Sequence, residues 1–112
     1  MPVIFKHKEI IDAAQYDDIP DNVKFFPNVM PNWDHTPRSG SKGTLIVDPN
    51  PMDFFRNLEN CFKRVKNNSN EERMIFIKAW NEWAEGNYLE PDLKFGRAFL
   101  NKLKEFVYSE QN

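Results

Sequence analysis

The sequence predicts an α/β fold with parallel strands, and three successive segments lead to this prediction. A short extended segment ends near Met30, an amphipathic segment starts at Pro51, and a nearly continuous apolar run starts at Met74. A strand–helix–strand unit is almost always a right-handed crossover between parallel strands. With 112 residues, 40% of them hydrophobic, the chain can form one compact domain, which we expect to span residues 1–112.

The elements that precede residue 50 are predicted to be short. Val3–Phe5 is expected to form a strand, followed by a turn or two of helix that ends near Ala14. Pro27 and Pro31 exclude a helix between them. A short strand is therefore predicted at Asn28–Met30, where two prolines leave room for only a few ladder hydrogen bonds.

A further strand and a long helix are predicted in the middle of the chain. Thr44–Val47 is an apolar, β-branched run that predicts the strand. Asn50 is suited to cap a helix and Pro51 to occupy its first position, so the helix should run from Pro51 to about Lys66. Apolar residues recur on one face of it, which predicts that this face is buried: Phe54, Leu58, Cys61, Phe62 and Val65.

The last strand and helix are predicted from a second apolar run. Met74–Ile77 continues through Lys78 to Ala79–Trp80, as expected for a strand covered on both faces in a parallel sheet. A loop, Asn81–Asp92, should follow, and then a helix from about Leu93 to Val107.

This order predicts where polar side chains meet. Because parallel strands end at the same edge of a sheet, the segments just past the two strand ends, Pro31–Arg38 and Asn81–Glu90, should lie along one rim. They are also the densest clusters of polar and aromatic residues in the chain. We therefore expect one composite site built from both segments.

The residue types of these segments favour chemistry on sugars. Glu82 and Glu85 are three positions apart and on a helical turn would share a face, and aromatic walls can separate the pKa values of two such carboxyls by desolvation. Aromatic rings stack on the apolar faces of sugar rings, which suits Trp33, Trp80, Trp83 and Tyr88. Amide, carboxylate and guanidinium groups contact hydroxyls, which suits Asn81, Asp34, Arg38 and Asn87.

Simpler interpretations compete with this one. A glutamate pair in a loop is more often a solvated surface feature, and the tryptophans could be core residues, Trp80 in particular. Arg38 could bind only a helix terminus or Asp34. Glu90, held extended by the following proline, could either position the next helix or contact substrate.

Other function classes are disfavoured by the composition. The net charge of −2 and the interspersed acids and bases give no positive field for nucleic acid. No segment is long enough to span a bilayer, and the start of the chain does not resemble a signal peptide, so we expect a cytoplasmic location. The single cysteine, Cys61, is expected to be a buried thiol. No metal-binding spacing occurs, so neither a metal nor a cofactor is expected.

Two stretches resemble one known family. Trp80–Asp92, with the sequence WNEWAEGNYLEPD, is similar to the C-terminal signature of WbsX-type proteins, glycosyltransferases assigned to lipopolysaccharide O-antigen synthesis and related to glycoside hydrolase family 99. Phe26–Arg38, with the sequence FPNVMPNWDHTPR, resembles the preceding strand and loop of the same family. The spacing between the two stretches also agrees, and the likeness covers nearly the whole chain.

The resemblance implies a fold and a mechanism. The fold would be a partial (β/α)₈ TIM-barrel-like structure, of which this chain supplies the last two or so βα units as a C-terminal fragment. Glu82 would act as a base on the substrate's 2-hydroxyl, giving a retaining route through an anhydro-sugar, and Glu85 as general acid and then base. Asp34 and Arg38 would lie on the substrate side. Ala84 stands where the hydrolases commonly have histidine, so hydrolase specificity is not implied.

Three functions remain open from the sequence. The first is a glycan-active enzyme of polysaccharide assembly whose substrate is an oligosaccharide or a nucleotide sugar, with the isolated fragment expected to be inactive. The second is a carbohydrate-binding or pseudoenzyme domain without turnover. The third is a structural remnant. In each case uncovered barrel edges would favour self-association or pairing with the rest of the barrel.

Overall fold

The computed structural model describes residues 1–13, 16, 18–20 and 22–110. The fold is mixed α/β. Within the described residues the helices are α1 (His7–Ala13), α2 (Thr36–Ser39), α3 (Pro51–Val65) and α4 (Ala98–Glu110). The strands are β1 (Val3–Lys6), β2 (Asn28–Val29), β3 (Trp33–Asp34), β4 (Thr44–Val47), β5 (Phe76–Ile77), β6 (Asn81–Glu82) and β7 (Asn87–Tyr88). Single 3₁₀ turns lie at Gly40–Lys42, Asn70–Glu72 and Trp83–Glu85.

The predicted parallel pairing is confirmed. β2 pairs with β5 in parallel, with Asn28 opposite Phe76 and Val29 opposite Ile77. α3 lies between these strands in the chain and contacts β2. The described strands form three separate small sheets and no closed barrel among them.

The predicted strands near residues 3 and 44 belong to one three-stranded sheet. β4 is its central strand and pairs in parallel with β1 and antiparallel with β3. α1 follows β1 directly and is observed as far as Ala13, while Ala14, near which its end was predicted, lies outside the described residues. This sheet fixes Trp33 and Asp34 beside β4.

The predicted start of the long helix is confirmed. The side-chain oxygen of Asn50 accepts a hydrogen bond of 2.8 Å from the backbone N–H of Met52, and Pro51 begins α3. The predicted apolar face is buried against α4, and Cys61 lies on it fully enclosed. The residues of this core are Val29, Phe54, Leu58, Cys61, Leu89, Phe99 and Phe106.

The expectation that the Met74–Ile77 strand is covered on both faces is wrong. β5 is only two residues long, and burial alternates along the run, with Ile75 and Ile77 against the core and Phe76 56% exposed. Among the described residues, β5 has one strand neighbour and the helices cover one of its faces. Apolar residues on the other face consequently lie at the surface.

The last helix begins five residues later than predicted. Asp92 and Gly96 exchange backbone hydrogen bonds, and the carboxylate of Asp92 accepts a bond of 2.6 Å from the N–H of Phe95. Gly96 has a φ of 57°, which ends any helix started at Leu93. α4 therefore starts at Ala98. None of the helices in the described ranges combines the length and apolarity that crossing a bilayer requires.

Candidate functional site

The two polar segments that follow β2 and β5 lie together, as predicted. A β-carbon placed on Gly86 would lie 2.7 Å from the β-carbon of Asp34 and 2.9 Å from its backbone nitrogen and oxygen. α2 also contacts the 3₁₀ turn that contains Glu85. Pro31–Arg38, here termed the first segment, and Asn81–Glu90, the second segment, thus form one surface.

A pair of buried asparagines joins the two segments. The amide nitrogen of Asn87 donates to the carbonyls of Asn32 at 2.7 Å and Lys78 at 2.8 Å, and the side-chain oxygen of Asn32 accepts from the N–H of Tyr88 at 2.8 Å. Asn87 is 0% exposed. The structure places this residue, predicted to contact sugar hydroxyls, in the interior, where it links the segments.

The second segment is a tight hairpin. β6 and β7 pair antiparallel, and the connecting 3₁₀ turn is followed by Gly86, whose φ of 56° and ψ of 34° are left-handed. The N–H groups of Leu89 and Glu90 both donate to the carbonyl of Trp80 and close the hairpin. Glu82 is therefore the last residue of β6 and Glu85 the last residue of the 3₁₀ turn, so both lie at the tip of the hairpin.

Glu85 faces two cations. One carboxylate oxygen lies 3.8 Å from a guanidinium nitrogen of Arg38, and the other lies 3.8 Å from the ammonium of Lys78. Both distances exceed the roughly 2.7–2.9 Å of a charge-assisted hydrogen bond, and both cations are about half exposed or more. Such pairs contribute little to stability. The carboxylate lies between the two cations, and the Glu85 side chain is 23% exposed.

Within the described residues the guanidinium of Arg38 pairs with Glu85, and no contact with a helix terminus or with Asp34, the two simpler roles considered for it, is observed. One oxygen of the Asp34 carboxylate accepts hydrogen bonds from the backbone N–H and the hydroxyl of Thr36. Asp34 thereby shapes the turn that begins α2, the helix that carries Arg38. The aspartate acts on the site through backbone geometry.

Lys78 is a site residue that the sequence interpretation missed. Its ammonium lies 5.5 Å from the centre of the Trp33 ring in addition to its contact with Glu85, so it connects the first segment to the second. The peptide bond between Lys78 and Ala79 is cis. The available signal was that Lys78 is the only charged residue in the apolar run 74–80, directly before the site.

The exposed tryptophans are not core residues. Trp80 is 53% exposed and Trp83 is 48% exposed, which rules out the core interpretation for both, while Trp33 is half-buried. Glu90 accepts a hydrogen bond of 2.9 Å from the indole nitrogen of Trp83. In this structure Glu90 positions an aromatic ring of the site and not the following helix.

Tyr88 stacks on Trp83, with ring centroids 3.8 Å apart and planes inclined by 13°. Its hydroxyl donates a hydrogen bond of 2.7 Å to Asp92. Burial, and then the hydrogen bond to the Asp92 carboxylate and its charge, raise the pKa of Tyr88 to about 12. The phenol consequently remains a donor throughout the physiological range.

The side chains of Asn81 and Glu82 in β6 are exposed. Of the predicted site residues, the structure brings Trp33, Asp34, Arg38, Trp80, Asn81, Glu82, Trp83, Glu85, Tyr88 and Glu90 to or near the surface of the two segments.

Across the described parts of the chain, no three His, Cys, Asp or Glu side chains are grouped so as to hold a metal ion.

Comparison with known proteins identifies the family. The family model described as Glycosyltransferase WbsX matches residues 1–103. The chain belongs to the WbsX glycosyltransferase family. The match covers both segments, in agreement with the resemblance of their motifs.

Two curated relatives are similar to part of the chain. Both are described as uncharacterized protein WxcX, from strain B100 and a second strain of Xanthomonas campestris pathovar campestris, and each is 40% identical over 81 residues. The similarity covers 71% of this chain and 12% of the relative. The matched part of the chain therefore corresponds to a small part of the length of these relatives. No solved structure matches it significantly.

Proposed function

We propose that this chain provides part of the active site of a glycan-active enzyme, with Glu82 and Glu85 as its acid–base pair. The observation that supports the proposal most is the convergence of two segments on Glu85, which lies 3.8 Å from Arg38 of the first segment and 3.8 Å from Lys78 just before the second. Membership of a glycosyltransferase family agrees with a carbohydrate substrate.

The surroundings of Glu85 suit a neutral sugar. The indole ring of Trp33 offers an apolar face of the kind that packs on sugar rings, and its centre lies 5.5 Å from the Lys78 ammonium. Arg38 and Lys78 can donate to hydroxyl or ring oxygens while Glu85 accepts from a hydroxyl. Because the two ion pairs are long and solvated, exchanging them for substrate contacts costs little.

The proposed reaction proceeds in two steps. Glu82 removes the proton of the substrate's 2-hydroxyl, whose oxygen attacks the anomeric carbon, while protonated Glu85 transfers its proton to the departing glycosidic oxygen. Glu85 then removes a proton from the incoming hydroxyl, which attacks the anomeric carbon and opens the anhydro-sugar, and Glu82 returns its proton to the 2-oxygen. Water as the incoming group gives hydrolysis, and a sugar hydroxyl gives transfer. Each step inverts the anomeric carbon, so the two steps together retain its configuration.

The proposal includes a structural setting and a biological one. β2, α3 and β5 form a parallel strand–helix–strand unit, which we assign to a (β/α)₈ barrel completed by further chain. Active sites of such barrels lie beyond the carboxyl ends of the strands, where the two segments are found. The WbsX resemblance supports assembly of O-antigen or another polysaccharide as the process, and we propose the cytoplasm as its location.

Turnover assays test the proposal. The chain, in its full-length context where it is part of a longer polypeptide, is supplied with α-mannosides and with nucleotide sugars, and product is quantified for the native protein and its Glu85→Gln variant. We expect the variant to lose activity by roughly a hundredfold or more, the usual contribution of a general acid or base.

The matched control is Glu105→Gln, which removes an exposed carboxylate that pairs with Lys102 on α4. It should leave turnover unchanged. Equal turnover by the native protein and Glu85→Gln would remove Glu85 from the mechanism. Binding of glycans with no turnover by the native protein would support the non-catalytic carbohydrate-binding function instead.

A further inference from the structure

Trp83 and Tyr88 form a rigid two-ring platform. Their rings stack nearly in parallel. Glu90 fixes the indole nitrogen of Trp83 at 2.9 Å, and Asp92 fixes the hydroxyl of Tyr88 at 2.7 Å. Since the polar end of each ring is bound to a carboxylate, neither ring can rotate without losing a charge-assisted hydrogen bond. A pre-organised surface of this kind loses little entropy when a ligand binds.

The surface that this platform offers a ligand is apolar. The donor of each ring is already used, so the accessible part of Trp83, 48% of the residue, is mainly ring surface. A flat apolar ring is complementary to the C–H face of a pyranose.

An open cavity of about 520 Å³ lies against the platform. This volume falls in the range of roughly 300–1,000 Å³ that is typical of small-molecule sites. Asp92 and Lys94 supply charged groups that can contact hydroxyls. The complete lining is Trp83, Tyr88, Pro91, Asp92, Leu93 and Lys94.

The cavity is separate from the surroundings of Glu85. Glu85 is not among its lining residues and instead faces Arg38 and Lys78. Trp83 and Glu85 are the first and last residues of one 3₁₀ turn. Residues two apart in such a helix, which has about three residues per turn, point in directions about 120° apart. The Trp83 ring and the Glu85 carboxylate therefore face different directions, which favours contact with two different sugar rings.

We propose that the Trp83–Tyr88 platform binds a second sugar unit of a glycan whose reacting sugar lies at Glu85. The inference depends on the proposed function and extends it: the substrate is a neutral oligosaccharide or polysaccharide, at least two sugars long, and not a single-sugar glycoside. A sugar one or more units from the reacting bond contacts the platform and positions the reacting sugar.

Binding to a glycan array tests the inference. The array carries mono-, di- and tetrasaccharides of neutral hexoses, and the chain is applied as the native protein and as Trp83→Ala, Leu93→Arg and Tyr108→Ala variants. Leu93 lines the cavity and is fully exposed, so its replacement by arginine obstructs the cavity without removing a core contact. Tyr108 is an exposed aromatic residue on α4 that does not line the cavity.

We expect the native protein to bind di- or tetrasaccharides at least about tenfold more tightly than the matching monosaccharides. Trp83→Ala and Leu93→Arg should each abolish this preference, and Tyr108→Ala should retain it. Leu93→Arg decides the outcome if Trp83→Ala fails to fold. Equal binding by the native protein and Leu93→Arg, absence of a length preference, or binding to no glycan would overturn the inference.

Turnover assays distinguish failure of the inferred second sugar position from failure of the proposed catalytic function. If the native protein converts its substrate, loses activity in Glu85→Gln, and acts equally on single-sugar glycosides and longer glycans, the proposed function holds and the second sugar position does not exist. If the length preference is observed and depends on Trp83 but no substrate is converted, the platform binds glycans and the catalytic proposal fails.

Discussion

Gly86 lies directly against Asp34, so closely that a β-carbon at position 86 would be 2.7 Å from the β-carbon of the aspartate. The two residues are 52 positions apart in the chain. Their contact joins the turn that ends in Glu85 to the strand that precedes Arg38. Hydrogen bonds between Asn32 and the Asn87–Tyr88 strand support the same junction.

Replacement of Gly86 by alanine should open this junction. The left-handed backbone alone costs a non-glycine residue about 1 kcal/mol, and displacement of the Asp34 backbone adds to it, so we expect a loss of about 2–4 kcal/mol in the free energy of unfolding. Urea denaturation measures the loss. Gly96→Ala is the matched control, because Gly96 has nearly the same φ of 57° and no atom of the described residues lies within 4 Å of the added carbon. Equal losses in the two variants would contradict the close contact.

Removal of the Asn87 side chain should destabilise the fold from the interior. Asn87→Ala withdraws the donor from two carbonyls, those of Asn32 and Lys78. Leaving buried acceptors unpaired should lower the free energy of unfolding by about 2–4 kcal/mol. Asn101→Ala, at an exposed position of α4, should change it by less than about 0.5 kcal/mol. A similarly small effect of Asn87→Ala in urea denaturation would show that the link is dispensable.

The sequence was sufficient where local chemistry decides structure. Asn50 followed by Pro51 specifies the start of α3 through one hydrogen bond and one fixed dihedral angle, and both are observed. The parallel pairing of β2 and β5 followed from the intervening helix, which leaves few alternatives to a crossover. The meeting of the two segments is a consequence of that pairing.

The sequence was insufficient where distant partners decide. An apolar run such as Met74–Ile77 is equally compatible with a strand that is covered on one face or on both. In the structure the core covers one face, the one that carries Ile75 and Ile77. The late start of α4 depends on a turn closed by Asp92 and Gly96, which overrides the helical periodicity of the intervening residues. The isolated charge of Lys78 in the apolar run 74–80 distinguishes this residue in the sequence, but its position beside Glu85 is determined only by the tertiary structure.

We predict that the buried side chain of His7 makes the free energy of unfolding decrease when the pH falls below the ordinary pKa of histidine. This side chain is 1% exposed, and its Nε2 donates to the carbonyl of Met30 while its Nδ1 accepts from the N–H of Asn50. Burial lowers its pKa from 6.5, outweighing the hydrogen bond to Met30 and the charge of Asp53, which act in the opposite direction.

The sign follows from the protons bound. Below pH 6.5 the unfolded chain takes up a proton at His7 that the folded chain does not. The contribution of His7 to the free energy of unfolding is therefore fully present above pH 6.5, and it decreases as the pH falls towards the lowered pKa of the folded chain. Between pH 7.5 and 5.5, His7 should account for up to about 1.4 kcal/mol of lost stability. The free energy of unfolding lost between pH 7.5 and 5.5 should be smaller in His7→Gln than in the native protein and in His35→Gln. Equal pH dependence in all three would contradict the buried neutral imidazole.

The thiol of Cys61 should be unreactive in the folded chain. It is fully buried, and burial raises its pKa to about 11, despite the opposing effect of its contact with the Tyr16 hydroxyl. At pH 8 we expect the reaction with a disulfide reagent to be at least about a hundredfold slower than in urea-unfolded protein. Comparable rates in the two states would show that α3 does not enclose the thiol, and Cys61→Ala supplies the blank.

The most direct test of one site built from two segments is a nuclear magnetic resonance titration of the three indole N–H signals with the tightest-binding glycan of the array. Trp33 lies in the first segment, Trp83 in the second and Trp80 beside it. We predict that the signals of Trp33 and Trp83 shift together along one saturation curve, and that Trp83 alone still responds in an Arg38→Gln, Lys78→Gln double variant. Shifts at only one of the two residues in the native protein, or at neither, would contradict the composite site.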